Sequence, residues 1–321
     1  MTDRAGEVGV LGVEEPAAAV TRAVPPGRAT RGRLRELWRR FAKHRGAVAG
    51  MLTFGLIVLV VVVGPLVYDV DPLKTDIRAR NQAPSLEHPF GTDNLGRDLL
   101  AQNLAGGRVS LTVGVAAMLI SVIVGTVIGQ LAGYYRRLDG PLMRLTDMFL
   151  ALPILPLLLV AVLLFRDSLR AAMGPQAGIF VLIVVIIGIT SWMNTARVVR
   201  GEVLALKERE FVTAADALGS GANRIMWTHI LPNVMSPILV SASLGMASAI
   251  ITESALSFLG LGFPPDVPTW GRLLYDGRDY LGITPMRVVW PGMFISLTVL
   301  SINFMGDGLR DALDPRSRNR V

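Results

Sequence analysis

Residues 211–232 read FVTAADALGSGANRIMWTHILP, a polar, irregular stretch set between two long apolar runs. Phe211, Ala214, Ala215 and Leu218 recur at the i, i+3, i+4, i+7 spacing of an amphipathic helix. Gly219 follows where a left-handed helix-ending residue belongs, and Ser220 stands where it would cap a second helix carrying Ile225, Met226 and Ile230. Pro232 then ends or kinks that helix as the chain enters the next apolar run. The pattern predicts two short helices at a sharp angle, forming a knob outside the medium that the apolar runs occupy.

That medium is lipid. Of the 321 residues, 51% are hydrophobic and 18% charged, with mean hydropathy +0.49, whereas a soluble domain carries about 25% charged residues. Six charge-free stretches, roughly 46–68, 109–135, 148–165, 177–196, 233–252 and 288–306, are each long enough to cross about 30 Å of hydrocarbon as a helix. An all-α integral membrane protein with six transmembrane helices is the predicted fold class. The third span begins before Met148, near Leu142, and contains Pro153 and Pro156, so a kink is expected there.

Residues 1–30, rich in Ala, Gly, Pro and Arg and lacking the apolar core of a signal peptide, read as a disordered tail. The basic segment 31–45, RGRLRELWRRFAKHR, places Leu34, Leu37, Trp38 and Phe41 on one helical face, which suits a helix lying on an anionic membrane surface. With alternate segments assigned to opposite sides, 22 of the 32 Lys and Arg residues fall on the side holding both termini and the 197–232 loop. By the positive-inside rule that side is cytoplasmic. Residues 69–108 and the loop 253–287 then lie outside, 109–306 form a five-helix core, and 307–321 return to the cytoplasm. Within the first external segment, HPFGTDNLGRD (88–98) reads as a compact turn before a helix start, with Thr92 or Asp93 as cap.

Gly125, Gly129 and Gly133 repeat every four residues along the second span, a face that lets another helix approach closely. Glu253, with Ser254 and Ser257 beside it, marks either an external gate or path or a plain helix end near the interface, within reach of water. Asp307, with Arg310 and Asp311, reads as a local charge network at the inner end of the last span. The chain has no Cys, its three His are far apart, and its lysines (Lys43, Lys74, Lys207) follow Ala, Leu and Leu. Thiolate metal sites are excluded, no metal site is suggested, and no phosphate-cradling loop is present. The basic residues lie between apolar runs rather than among aromatics on one folded face, which argues against nucleic acid as a partner.

Residues 214–232, AADALGSGANRIMWTHILP, resemble the cytoplasmic loop motif of ABC importer permeases: Glu-Ala-Ala, three residues, Gly, nine residues, Ile-x-Leu-Pro. Ala214, Ala215, Gly219, Leu231 and Pro232 match, while Thr213 replaces the usual Glu and His229 the frequent Ile. HPFGTDNLGRD (88–98), ESALSFLGLGFPP (253–265) and NFMGDGLRDALDPR (303–316) further resemble the C-type permease of dipeptide, oligopeptide and nickel importers.

The resemblance implies a type I ABC importer permease fold with cytoplasmic coupling helices, in a bacterial plasma membrane. It implies a homologous second permease of the B type, two ATP-binding subunits that carry ATP and Mg, and an external solute-binding protein; this chain holds no cofactor and is not an enzyme by itself. Phe211, Thr213, Ala214, Ala215, Asp216, Leu218, Gly219 and Pro232 are the expected coupling residues, with the face of Phe211, Ala214, Ala215 and Leu218 inserting in an ATPase groove. Dipeptides, oligopeptides, nickel chelates and haem-like cargo remain open. An ATPase-independent carrier or channel would need a buried titratable residue, an inverted repeat or a selectivity loop, and none is visible in the sequence.

Overall fold

A computed structural model describes residues 36–313. The tail 1–30 and residues 314–321 of the C-terminal segment lie outside the described residues. Of the basic segment, 36–41 form a helical turn in which Trp38 stacks on Phe41 at 5.9 Å. A turn follows, and His44 caps the first long helix, α1 (Arg45–Val67), its Nδ1 accepting from the Ala47 amide at 3.0 Å.

Helix α2 (Leu99–Tyr134) starts ten residues before the predicted second span, so the first connecting segment ends at residue 98 rather than 108. Its first turns are polar yet helical because Asp98 caps them and the buried Asn103 side chain donates back to the Leu99 carbonyl at 2.7 Å. Arg108 on the same helix donates to the Val61 and Val62 carbonyls at 3.1 and 2.7 Å. Pro65 has no N–H for the Val61 carbonyl, and Arg108 supplies the missing donor.

The expected kink in the third span is a sharp break. Helices α3 (Arg136–Ala151) and α4 (Ile154–Met173) meet at 88°. Pro153 drives Leu152 to an extended conformation, φ −75° and ψ 136°, which ends α3. Among the described residues five helical runs are long and apolar enough to cross a membrane, six if this bent pair counts as one span.

Helices α5 (Pro175–Ile189) and α6 (Trp192–Lys207) follow one another across Thr190 and Ser191. Because α6 continues to Lys207, the irregular part of the predicted 197–232 loop starts only at residue 208. After α7 (Glu210–Ala217), the long α8 (Leu231–Phe258) carries on through residues 253–258, which are helical and not loop. Short α9 (Trp270–Gly277) leads to α10 (Met286–Leu313), which includes residues 307–313 of the predicted C-terminal segment.

Helix α8 occupies the centre. Its Ala249 and Leu256 pack with Val113 of α2, Leu158 of α4 and Ile183 of α5; its Ile250 packs with Val61 of α1, Trp270 of α9 and Phe294 of α10. Its Val234 and Ile238 join Val199 and Val203 of α6 and Val212 and Ala215 of α7.

Candidate functional site: an elbow and a buried carboxylate at opposite ends of one helix

The knob predicted from 211–232 is an elbow between α6 and α8. After Lys207 the chain turns at Glu208, and α7 runs for two turns. It is closed by a paired hydrogen-bond arrangement: the Ser220 amide donates to the Ala215 carbonyl at 3.0 Å and the Gly219 amide to that of Asp216 at 2.8 Å. Gly219 takes φ +79°, a conformation that costs a residue with a Cβ roughly 1–2 kcal/mol. The next helical stretch is capped by Gly221, not by Ser220 as the sequence pattern suggested. It begins at Ala222 and passes through a widened turn at Ile225–Ile230, where the Leu231 amide reaches five residues back to Met226. Pro232, which has no N–H to give to the Thr228 carbonyl, follows directly, and the wide turn accommodates the missing donor.

The apolar residues of α7 form two stripes rather than the single predicted face. Val212 and Ala215 point inward and are buried against α6 and α8. Phe211, Ala214 and Leu218 point outward; Phe211 is 44% and Leu218 87% exposed. Ala215 is therefore an anchor of the elbow and not part of its outer surface. Asp216 is exposed. Thr213 is exposed too, its hydroxyl donating to the Glu210 carbonyl one turn back at 2.9 Å.

The root of the elbow is held by charge. Arg200 of α6 grips Asp139 of α3 with two bonds at 2.5 and 2.7 Å, Arg197 reaches Asp147 at 2.5 Å, and Lys207 donates to the Tyr134 carbonyl at the end of α2 at 2.7 Å. Between α2 and α6 the three glycines bring the backbones together. A Cβ at Gly125, Gly129 or Gly133 would stand 2.7 Å from Trp192 O, 2.6 Å from Ala196 O or 2.7 Å from Val203 Cβ. The elbow is thus mounted on a rigid post.

Glu253 lies at the far end of α8, fully buried instead of near an interface within reach of water. Its carboxylate accepts from Ser110 of α2 at 3.1 Å and from Ser257 at 2.8 Å. The sequence made it look terminal because Glu253 itself ends the charge-free stretch, but α8 continues for another turn and α9 folds over it. Ser254 is also buried. Nearby, a cavity of about 380 Å³ opens between the starts of α2 and α5 and residues 263–267, with Arg108 the one ionisable group of its wall and Phe180 and Phe263 on its sides.

On this side the 88–98 turn is densely tied. Asp98, not Thr92 or Asp93, caps α2: its Oδ1 accepts the Ala101 amide at 2.7 Å, while Oδ2 takes the Tyr68 hydroxyl and His88 Nδ1, both at 2.8 Å. Asp93 accepts from the Leu95 and Arg97 amides, Arg97 Nε and Gln102 Nε2, and Thr92 donates to the Ala79 carbonyl. Arg287 of α10 reaches Asn94 at 2.9 Å. Sequence reasoning did not single out Asp98, Arg108 or Arg287; ten residues, several of them polar, separate Asp98 from the apolar run, so it carried no helix-start signal there.

Comparison with known proteins agrees with this architecture. Residues 99–319 match the family model described as binding-protein-dependent transport system inner membrane component, and residues 32–84 match the N-terminal TM domain of oligopeptide transport permease C. The chain is 39% identical over 291 residues to the oligopeptide transport system permease protein OppC of Haemophilus influenzae, covering 88% of this chain and 90% of that one. It is 41% identical over 293 residues to the di/tripeptide transport system permease protein DppC of Pseudomonas aeruginosa, covering 89% and 93%. Among solved structures, a chain of the MetNI methionine ABC transporter in inward-facing conformations shares the fold at TM-score 0.52 and 17% identity, over 67% of this chain and 96% of that one. The protein therefore belongs to the binding-protein-dependent transport system inner membrane components, as a transport permease subunit of the oligopeptide permease C kind.

Proposed function

We propose that the chain forms half of the translocation path of an ATP-driven importer of di- or oligopeptides, and that its elbow docks into ATP-binding partner subunits. The observation that carries the elbow's role is the outward stripe of Phe211, Ala214 and Leu218. These apolar side chains stand in the open on a knob whose other side is anchored in the core by Val212 and Ala215. An exposed apolar stripe on a short helix is what a groove on a partner recognises. The peptide cargo rests on the names of the relatives, which are peptide transport permeases.

In this reading the second path-forming half is a homologous permease, and ATP and Mg sit on two ATPase subunits. An external solute-binding protein delivers the peptide at the Glu253 end. The elbow and both termini face the cytoplasm of a bacterial cell, in accord with the Lys and Arg distribution. Closure of the ATPases on ATP moves the elbow, and the mounting of α6 on α2 and α3 transmits that movement to the spans.

Leu218→Glu tests the docking. It places a charge where an apolar contact is required, without touching the anchor. Peptide-stimulated ATP hydrolysis and labelled-peptide uptake by the assembled complex should fall at least about tenfold, with the thermal stability of the permease unchanged. Uptake at the wild-type rate would refute the docking assignment.

A further inference from the structure

One continuous helical run, Ala222–Phe258, leads from the elbow to Glu253. At about 1.5 Å per residue this run is roughly 55 Å long and exceeds the hydrocarbon thickness. Beyond its far end, residues 259–269 loop back and α9 lies across the starts of α2 and the end of α8. The junction is closed to bulk solvent. Glu253, Ser110, Ser257, Thr269 and Trp270 are all fully buried.

One carboxylate joins three segments there. Glu253 accepts from Ser110 on α2 and from Ser257 on its own helix. Ser110 in turn accepts the Trp270 backbone amide at 3.2 Å, at the first residue of α9, and the Trp270 indole donates to the Asn103 carbonyl on α2 at 3.1 Å. Among the described residues no Lys or Arg forms an ion pair with Glu253, so hydroxyl groups alone hold it. A buried carboxylate is costly to leave unpartnered: separating α2 from α8 would take the Ser110 donor from it, and lifting α9 away would leave the buried Trp270 amide without its Ser110 acceptor. The junction therefore resists being opened.

We infer that Glu253 is the positioning residue through which the helix rooted in the elbow carries the 259–277 segment with it, joining the elbow's movement to the opposite mouth of the path. The inference rests on the importer reading above. Without Glu253, α8 moves and the 259–277 segment lags.

The test uses the complete transporter complex in lipid nanodiscs, carrying Glu253→Ala or Glu253→Gln. Hydrogen exchange should quicken in residues 259–277 of Glu253→Ala and stay unchanged in α7. Binding-protein-stimulated ATP hydrolysis should drop about tenfold while basal hydrolysis stays within about twofold, and Glu253→Gln, which keeps the shape and one acceptor, should recover part of the stimulation. Unchanged exchange at 259–277, unchanged stimulation, or faster exchange throughout the chain including α7 would each overturn the assignment. Because the chain has no Cys, a single Leu218→Cys substitution reports elbow docking by cross-linking to the ATPase. Failure of that cross-link in an otherwise wild-type chain would overturn the docking reading, while the exchange difference at 259–277 would still stand.

Discussion

The two ends of the bundle are built on opposite plans. At the elbow, residues 208–221 are held mainly by backbone hydrogen bonds between near neighbours and by two inward side chains, Val212 and Ala215, and they leave an apolar stripe in the open. At the other end, Asp98 and Glu253 are buried and bonded across segments far apart in the chain, Tyr68 to Asp98 and Ser110 to Glu253, and Arg287 likewise reaches Asn94. The first plan presents a surface to something else. The second turns its polar groups inward and fixes the shape of that end of the bundle. Under the function proposed above, the first end receives movement and the second delivers it, and each role needs its own plan.

The contrast can be broken most severely at Gly96. It takes φ +75° in the 88–98 turn, and a Cβ there would lie 1.7 Å from the Asp76 carbonyl oxygen. Gly96→Val should prevent recovery of monodisperse protein in size-exclusion chromatography, since both the backbone conformation and the space are denied. A well-behaved variant would show that the turn is not the rigid structure described. Asp98→Ala should cost less but still much. It removes the cap of α2 and strips the Tyr68 hydroxyl and His88 of their shared acceptor, for a loss of roughly 2–4 kcal/mol in thermal unfolding. A loss similar to that of an exposed residue would equate the two ends. Smallest of all is Thr213→Ala at the elbow. The hydroxyl bonds only to its own helix and faces outward, so stability should change by no more than about 0.5 kcal/mol and peptide-stimulated ATP hydrolysis should stay near wild type. A strong loss of stimulated hydrolysis would reveal a partner contact at the position where the resembled loop motif has Glu.

Much of this was legible in the residues. The apolar runs, the break at Pro153 and the left-handed turn at Gly219 are local consequences of hydrophobic length, a missing N–H and a missing Cβ, and they read directly from the sequence. Helix ends were harder. Between 92 and 98, Thr92, Asp93, Asn94 and Asp98 are all able to cap a helix, and local chemistry does not choose among them. Tyr68 and His88 make the choice by converging on Asp98. The glycine face of α2 was visible as a face, but its partner α6 was not, because close approach is a property of two helices.

The sequence by itself determined that the chain crosses a membrane several times, that a polar elbow lies between two spans, and where that elbow must turn, because each of these follows from solvent preference and backbone sterics within a few residues. Only the tertiary structure decided that Ala215 faces inward while Ala214 faces out, since an alanine suits either side of a helix and the neighbouring α6 and α8 make the difference. It likewise decided that Glu253 is sealed among hydroxyls instead of wetted at a helix end. Burial depends on what folds over a residue, and here that is a helix beginning seventeen residues further along the chain.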